Sequence, residues 1–265
     1  MELLFNRFPQ GRQKALTMSY DDGRAQDERL IALFNRHGIV GTFHLNAGWF
    51  GKPGYIPRDR VQTLYAGHEL SAHAYTHQSL PNVPREKLID EIWRDRLTLE
   101  AIAGAPVTGM SYPYGDESDE VVALLRGLGM QYARRVQTTK KFGLPQDFLR
   151  WEGTCHHNEG LLALGEAFLA LQPRFSPALM YVWGHSYEFD GDDNWAMIEA
   201  FCQSLGGRDD IWYATNAQIV AYWQAVRGVQ FSADTRMARN PSALDVWISV
   251  DGAPLCLPGG QVTRW

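Results

Sequence analysis

Cysteine is scarce and odd in number in this chain of 265 residues. Cys155, Cys202 and Cys256 stand far apart, a pattern that argues against a disulfide framework or a Cys-rich zinc site and leaves buried free thiols as the expectation. Runs of Lys and Arg are missing as well. With a formal net charge of −5 and no basic stripe, the chain lacks the clustered cations that nucleic acid or an anionic membrane surface would require. Long apolar runs are absent too: the first fifteen residues, MELLFNRFPQGRQKA, hold no stretch of signal-peptide length, and no segment approaches the roughly 20 apolar residues of a membrane span. The expectation is a cytoplasmic protein with neither a nucleic-acid nor a membrane partner. No internal repeat or low-complexity segment is present.

What remains is ordinary globular material. An apolar fraction of 45% against 21% charged residues suffices for a sizeable core. Short apolar runs alternate with amphipathic stretches, the pattern of repeated βα units. Strands are expected at Lys14 to Tyr20, Ile39 to Leu45, Glu69 to His73, Val107 to Tyr112, Met130 to Arg134, Leu179 to His185 and Ile211 to Thr215. Helical stripes lie between them, such as Leu30, Leu33, Phe34 and His37, or Trp195, Ile198, Phe201 and Leu205. Thr215 followed by Gln218 is a capping-box signature for a closing helix. Beyond Arg227 the pattern turns to β-branched and aromatic residues with Asp251-Gly252 as a hairpin signal. The fold expected is α/β, a distorted (β/α) barrel of about seven parallel strands over residues 1–227, with a small antiparallel β appendage over 228–265 packed on it.

Polar residues gather where these strands end, and the C-terminal strand ends line the functional face of parallel α/β folds. Asp21 and Asp22 follow the first run; His73 ends the third, with His77 four residues on; His185 ends a late one. Side chains alternate along a strand, so two adjacent carboxylates at its tip are expected to point apart and take different tasks. One can join two imidazoles around a divalent ion while the other stands free as a general base. The i, i+4 spacing of His73 and His77 places both rings on one side if the chain enters a helical turn. Singly, each feature has a plainer reading: Asp-Gly as a turn, His185 as a core histidine.

Together, Ser19-Tyr20-Asp21-Asp22-Gly23, His73-Ala74-Tyr75-Thr76-His77, Ser111-Tyr112-Pro113-Tyr114-Gly115 and Trp183-Gly184-His185 resemble the first, second, third and fifth motifs of the polysaccharide deacetylase family, the NodB-homology domain of carbohydrate esterase family four. The resemblance spans roughly Ala15 to Trp223. It implies a metal-dependent hydrolase that removes N- or O-acetyl groups from a carbohydrate or other acetylated small molecule. Asp21 would be the base, Asp22, His73 and His77 the ligands of a divalent ion such as Zn2+, and His185 the general acid. A backbone N–H near Tyr114 would meet the oxyanion, and Trp183 would lie beside the substrate. A hydrolase of a small non-sugar amide, or a carbohydrate-binding protein without turnover, are the alternatives.

Two departures stand out. The arginine that begins the family's third motif is replaced by Ser111, so Asp21 must be held in another way. The fourth motif, whose acid tunes the histidine, has no clean counterpart within Phe148 to His157, and Glu188 or Glu152 is expected to supply that carboxylate. His156 and His157, beside Cys155, form a polar cluster that the resemblance does not explain. Of the aromatics near these loops, Trp49, Phe50, Tyr55, Tyr75, Tyr114, Trp151, Trp183 and Tyr187, two or three are expected to face a substrate.

Overall fold

The computed structural model describes all residues, 1–265. Fifteen strands run β1 (Leu3–Leu4), β2 (Lys14–Asp22), β3 (Gly41–Leu45), β4 (Glu69–Ala72), β5 (Gly109–Ser111), β6 (Tyr132–Thr138), β7 (Trp151–Gly153), β8 (Cys155–His156), β9 (Ala178–His185), β10 (Ile211–Tyr213), β11 (Gln230–Phe231), β12 (Met237–Arg239), β13 (Val246–Val250), β14 (Ala253–Leu257) and β15 (Val262–Arg264). The helices are α1 (Asp27–Arg36), α2 (Arg58–Leu64), α3 (Arg85–Ala103), α4 (Asp119–Gly127), α5 (Leu161–Ala170), α6 (Glu188–Gly191), α7 (Trp195–Leu205) and α8 (Asn216–Arg227).

Strands β2 to β10 form one sheet in which every pairing is parallel. The seven expected strands are all in it, shifted at their ends by a few residues. Two short additional strands, β7 and β8, come from the segment where the fourth motif was sought. Their segment pairs with β6 on one side and with β9 on the other, which closes the sheet into a distorted barrel. Strand β2 is buried along its whole length, as a strand covered on both faces must be. Leu16, Met18 and Tyr20 pack outward in the main apolar core beneath the helices, with Tyr20 against Phe34. Thr17, Ser19 and Asp21 take the opposite face by strand alternation. On that face Ser19 Oγ meets His44 Nε2 at 2.8 Å, and Tyr181 donates to Ser19 at 3.2 Å. Helix α8 begins with the expected capping box, and Asn216 in its first turn bonds Thr17, Thr42 and Tyr181, which closes this end of the barrel. The strand C-terminal ends are left as the accessible face.

Strands β13 and β14 are joined by Asp251 and Gly252, both at positive φ, the two-residue turn that an Asp-Gly pair favours. Val246, Ile248 and Leu257 of this hairpin pack with Phe8, Ile219, Tyr222 and Val226 in a second apolar cluster. The appendage also draws in the N-terminus, because β1 pairs antiparallel with β13. No helix is long and apolar enough to cross a membrane.

Candidate metal and catalytic centre

The two aspartates do not diverge as strand alternation requires. Asp22 has φ +80°, a left-handed conformation that ends the strand geometry one residue early, and Gly23 follows at +68°. Alternation therefore governs Asp21 and fails at Asp22. Both carboxylates converge on one imidazole: His73 Nε2 lies 3.7 Å from Asp21 Oδ2 and 3.7 Å from Asp22 Oδ1. Backbone held in such a sparsely populated region is a hallmark of functional sites.

Asp21 is 2% exposed and held from two sides. Ser111 Oγ donates to its Oδ1 at 3.2 Å, and the Arg134 guanidinium donates to its Oδ2 as a close ion pair. Arg134 is completely buried and lies 4.3 Å from the centre of the Trp183 ring. Burial works to raise the Asp21 carboxyl, but Arg134, then His73, His44 and His185, draw it well below the ordinary carboxylate range. Ser111 and Arg134 are register partners across β5 and β6. The guanidinium missing from the third motif thus arrives from the next strand. Sequence reasoning overlooked Arg134 as a functional residue, although one signal was present: an arginine two residues beyond Tyr132 in a strand buried on both faces needs a carboxylate partner.

His73 follows β4 directly. Its Nδ1 lies 2.9 Å from the Ser111 carbonyl oxygen, and since a carbonyl only accepts, Nδ1 carries the proton and Nε2 presents its lone pair. Asp95 accepts the His73 backbone N–H at 2.8 Å and that of Ala47 at 2.7 Å. His77 does not reach the site on a helical turn, contrary to the spacing argument. Ala74 and His77 are both left-handed, at +60° and +57°, and the turn is fixed by Asn46, which donates to the carbonyls of His73 and Ala74, and by Glu91, which accepts from Thr76 N–H and Oγ1–H at 2.6 Å each. Gly48 closes the other side, where a Cβ would stand 2.4 Å from the Tyr75 carbonyl oxygen.

His77 Nε2 lies 3.9 Å from Asp22 Oδ1, and the three ligand atoms of Asp22, His73 and His77 all fall within 4.8 Å of one another. Asp22 Oδ1 is buried without a hydrogen-bond partner. Ligands about 2.1 Å from a tetrahedral ion stand roughly 3.4 Å apart. The Asp22 oxygen, 3.7 and 3.9 Å from the two imidazole nitrogens, would need to close on each by about half an ångström or less. Burial pushes His73 down to about 3, and His77 is lowered for the same first reason, so both rings are neutral, the form that ligates. Burial also raises the Asp22 carboxyl, a cost that a bound cation would remove. The donor set fits a divalent ion and leaves coordination positions open.

At the tip of β9, His185 Nδ1 lies 3.1 Å from Glu188 Oε1, and its backbone N–H donates to Glu188 Oε2 at 3.1 Å. Burial would lower His185, but Glu188, Asp21 and Asp22 raise it above the usual histidine value. Glu152 is not part of this arrangement. It pairs with Arg135 at 3.3 Å, because residue 152 lies beside β6, against Arg135. Tyr114, at φ +61°, is 65% exposed and sets its ring edge-on to His77, centroids 4.6 Å apart. Trp183 is 7% exposed and packs beneath Arg134. Trp49 stacks on His77 at 5.4 Å and meets Tyr55 at 5.1 Å, while Trp151 lies in the core.

Comparison with known proteins agrees with this architecture. The polysaccharide deacetylase family model matches residues 9–133. Chitin deacetylase 1 of Cryptococcus neoformans var. grubii is 28% identical over 116 residues, covering 43% of this chain and 24% of that protein, so the match spans about a quarter of the relative's length. Among solved structures, a Mycobacterium smegmatis protein assigned as a polysaccharide deacetylase superposes with a TM-score of 0.62 at 17% identity, covering 85% of this chain and 96% of its own. A CE4 family pseudoenzyme from Bacillus anthracis gives 0.50 at 15% identity, covering 78% and 66%. At such identities the two structures speak for the fold alone. The motif residues, the sequence match over residues 9–133 and the shared fold make the chain similar to the polysaccharide deacetylase family.

Proposed function

We propose that the protein is a metal-dependent hydrolase that removes N- or O-acetyl groups from a carbohydrate or oligosaccharide. The reading rests on one observation: Asp22 Oδ1, buried and unpartnered, faces His73 Nε2 and His77 Nε2, while a second carboxylate stands beside them on its own arginine. A divalent ion held by Asp22, His73 and His77, Zn2+ being the best match to the donor set, would polarise the acyl carbonyl and lower the pKa of an attacking water from about 15.7 toward 7.

The remaining work falls to the chain's own groups. Asp21, kept ionised by Arg134, accepts the proton of the attacking water. Arg134 and Ser111 hold its carboxylate in place, so the base does not swing away as charge moves. A backbone N–H at Tyr114, on the exposed turn above His77, meets the oxyanion as the carbonyl becomes tetrahedral. His185, held by Glu188 and raised in basicity, protonates the leaving nitrogen or oxygen, a transfer worth on the order of a hundred- to ten-thousand-fold.

Trp49, Tyr55, Tyr114 and Tyr187 are all at least partly exposed and border this centre, and sugar rings present apolar faces to such side chains. That favours a carbohydrate over a small non-sugar amide. A silent binding protein is the second reading, and the pseudoenzyme among the fold neighbours shows that fold alone does not carry catalysis. Asp21 speaks for turnover, because a pure binder gains nothing from a second buried carboxylate beside the ion ligands. The test is a mass-spectrometric screen of acetylated oligosaccharides with metal-loaded protein, with Asp21→Asn as control. Loss of 42 mass units (about, one acetyl for hydrogen) in the wild type and none in the variant is the expected result; equal loss in both would overturn the assignment.

A further inference from the structure

A second cluster of potential ligands stands behind the first. His156, His157 and Glu188 bring one ligand atom each within 4.8 Å of one another, and none of the three belongs to the Asp22, His73 and His77 set. His156 closes β8 and sets its ring edge-on against Trp183, centroids 4.5 Å apart. His157 is completely buried and clamped between Tyr20 and Phe189, with ring centroids at 5.8 and 4.2 Å. Gly184 forms the back wall, since a Cβ there would come within 2.0 Å of His157 Nδ1. Glu188 opens α6 on the far side.

The distances are those of a chelating set. His156 Nε2 lies 3.0 Å and His157 Nε2 3.2 Å from Glu188 Oε2. His157 Nδ1 is buried with no hydrogen-bond partner, and the buried Nε2, though 3.2 Å from Glu188 Oε2, is not aligned to hydrogen-bond it. An unsatisfied buried polar atom is destabilising, and the aromatic clamp together with Gly184 keeps the ring from turning to find another partner. Burial holds His157 down at about 3, so the ring is neutral and offers a lone pair. Two imidazoles and a carboxylate are the donors of a zinc-like site, and the Glu188 oxygen stands 3.0 and 3.2 Å from the two nitrogens, near the roughly 3.4 Å separation of ligands on such an ion.

We propose that His156, His157 and Glu188 form a second divalent-cation site, selective for borderline ions such as Zn2+, Co2+ or Ni2+ over Mg2+ or Ca2+. The site shares Glu188 with His185, so its occupancy engages the carboxylate that holds that histidine. Selectivity follows from nitrogen donors, which hard oxygen-seeking cations do not favour.

Equilibrium dialysis of chelator-stripped full-length protein against Co2+, with bound metal counted by inductively coupled plasma mass spectrometry, tests the proposal. Wild type should hold two equivalents, His156→Gln one, Asp22→Asn one, and the double variant none. His156 is partly exposed and its replacement spares the core; should it misfold on circular dichroism, Glu188→Gln serves instead. A His156→Gln protein that keeps the wild-type count overturns the second site. Loss in Asp22→Asn alone would leave only the first, whereas loss in His156→Gln alone would retain the second and remove the first. Dialysis against Mg2+ should leave the His156 cluster empty; filling it equally would overturn the selectivity.

Discussion

Removing the Arg134 guanidinium provides the sharpest test of how Asp21 is held. Arg134→Met keeps the volume and the packing on Trp183 but leaves Asp21 buried, 2% exposed, without its counter-ion. Breaking a buried pair from one side costs about 3–5 kcal/mol, and for a domain of this size each kcal/mol lowers Tm by roughly 2–4 °C, so a fall of about 6–20 °C is expected. The pH dependence should also change sign. In the wild type Asp21 is depressed below its ordinary value of 3.8, so its contribution is present above that pH and is lost as pH falls toward the folded value. Without Arg134 burial dominates, the folded carboxyl binds its proton more tightly than the unfolded one, and stability declines as pH rises above about 4. Urea denaturation of chelator-treated protein at about pH 3, 5 and 8 reads both effects. Adding Asp21→Asn to Arg134→Met removes the stranded charge and should recover at least about 2 kcal/mol. Ser111→Arg in the Arg134→Met background should also recover part of it, because position 111 is the register partner of 134. A single variant that costs under about 1 kcal/mol, or a double variant no more stable than the single one, would refute the pairing as the support of Asp21.

The other expectations concern the metal, the acid and the neighbouring buried carboxylate. Metal at a hundred times the Kd of the Asp22 site should stabilise the wild type by about 2.7 kcal/mol through that site, and Asp22→Asn, judged by thermal melts with and without chelator, should lose that share of the gain; an undiminished shift would place the ion elsewhere. His185→Ala should slow release of N-acetyl groups more than of O-acetyl esters, because an amine leaves poorly without a proton, and equal loss in kcat for both would count against His185 as the acid. Burial raises Asp27 to about 7 despite hydrogen bonds from Ser186 and Tyr65. Between about pH 4 and 7 the folded chain then holds a proton that the unfolded chain has released, so stability falls as pH rises through that window. Asp27→Asn should flatten the decline, and a slope unchanged by it would show that Asp27 titrates normally.

What could be read in the chain and what could not divide along a physical line. The order of βα units, the capping box at Thr215 and the Asp251-Gly252 hairpin were legible because each depends on contacts between near neighbours in sequence. His73, His77 and Asp22 were legible as a set through their motifs, but the way they converge was not. Strand alternation and helical spacing both assume regular backbone, and here the chain turns left-handed at Asp22, Ala74 and His77. Arg134 illustrates the other limit. Its value to Asp21 comes from standing beside Ser111 across two strands, a relation fixed by sheet register and invisible to any spacing along one strand. The same register explains how a carboxylate can keep a guanidinium when position 111 is a serine: an arginine that enters from β6 instead of β5 still reaches it, because neighbouring parallel strands lie about 4.8 Å apart and the side chain is longer than that. The requirement at Asp21 is therefore a buried cation within reach of the carboxylate, and it places no demand on which strand delivers it.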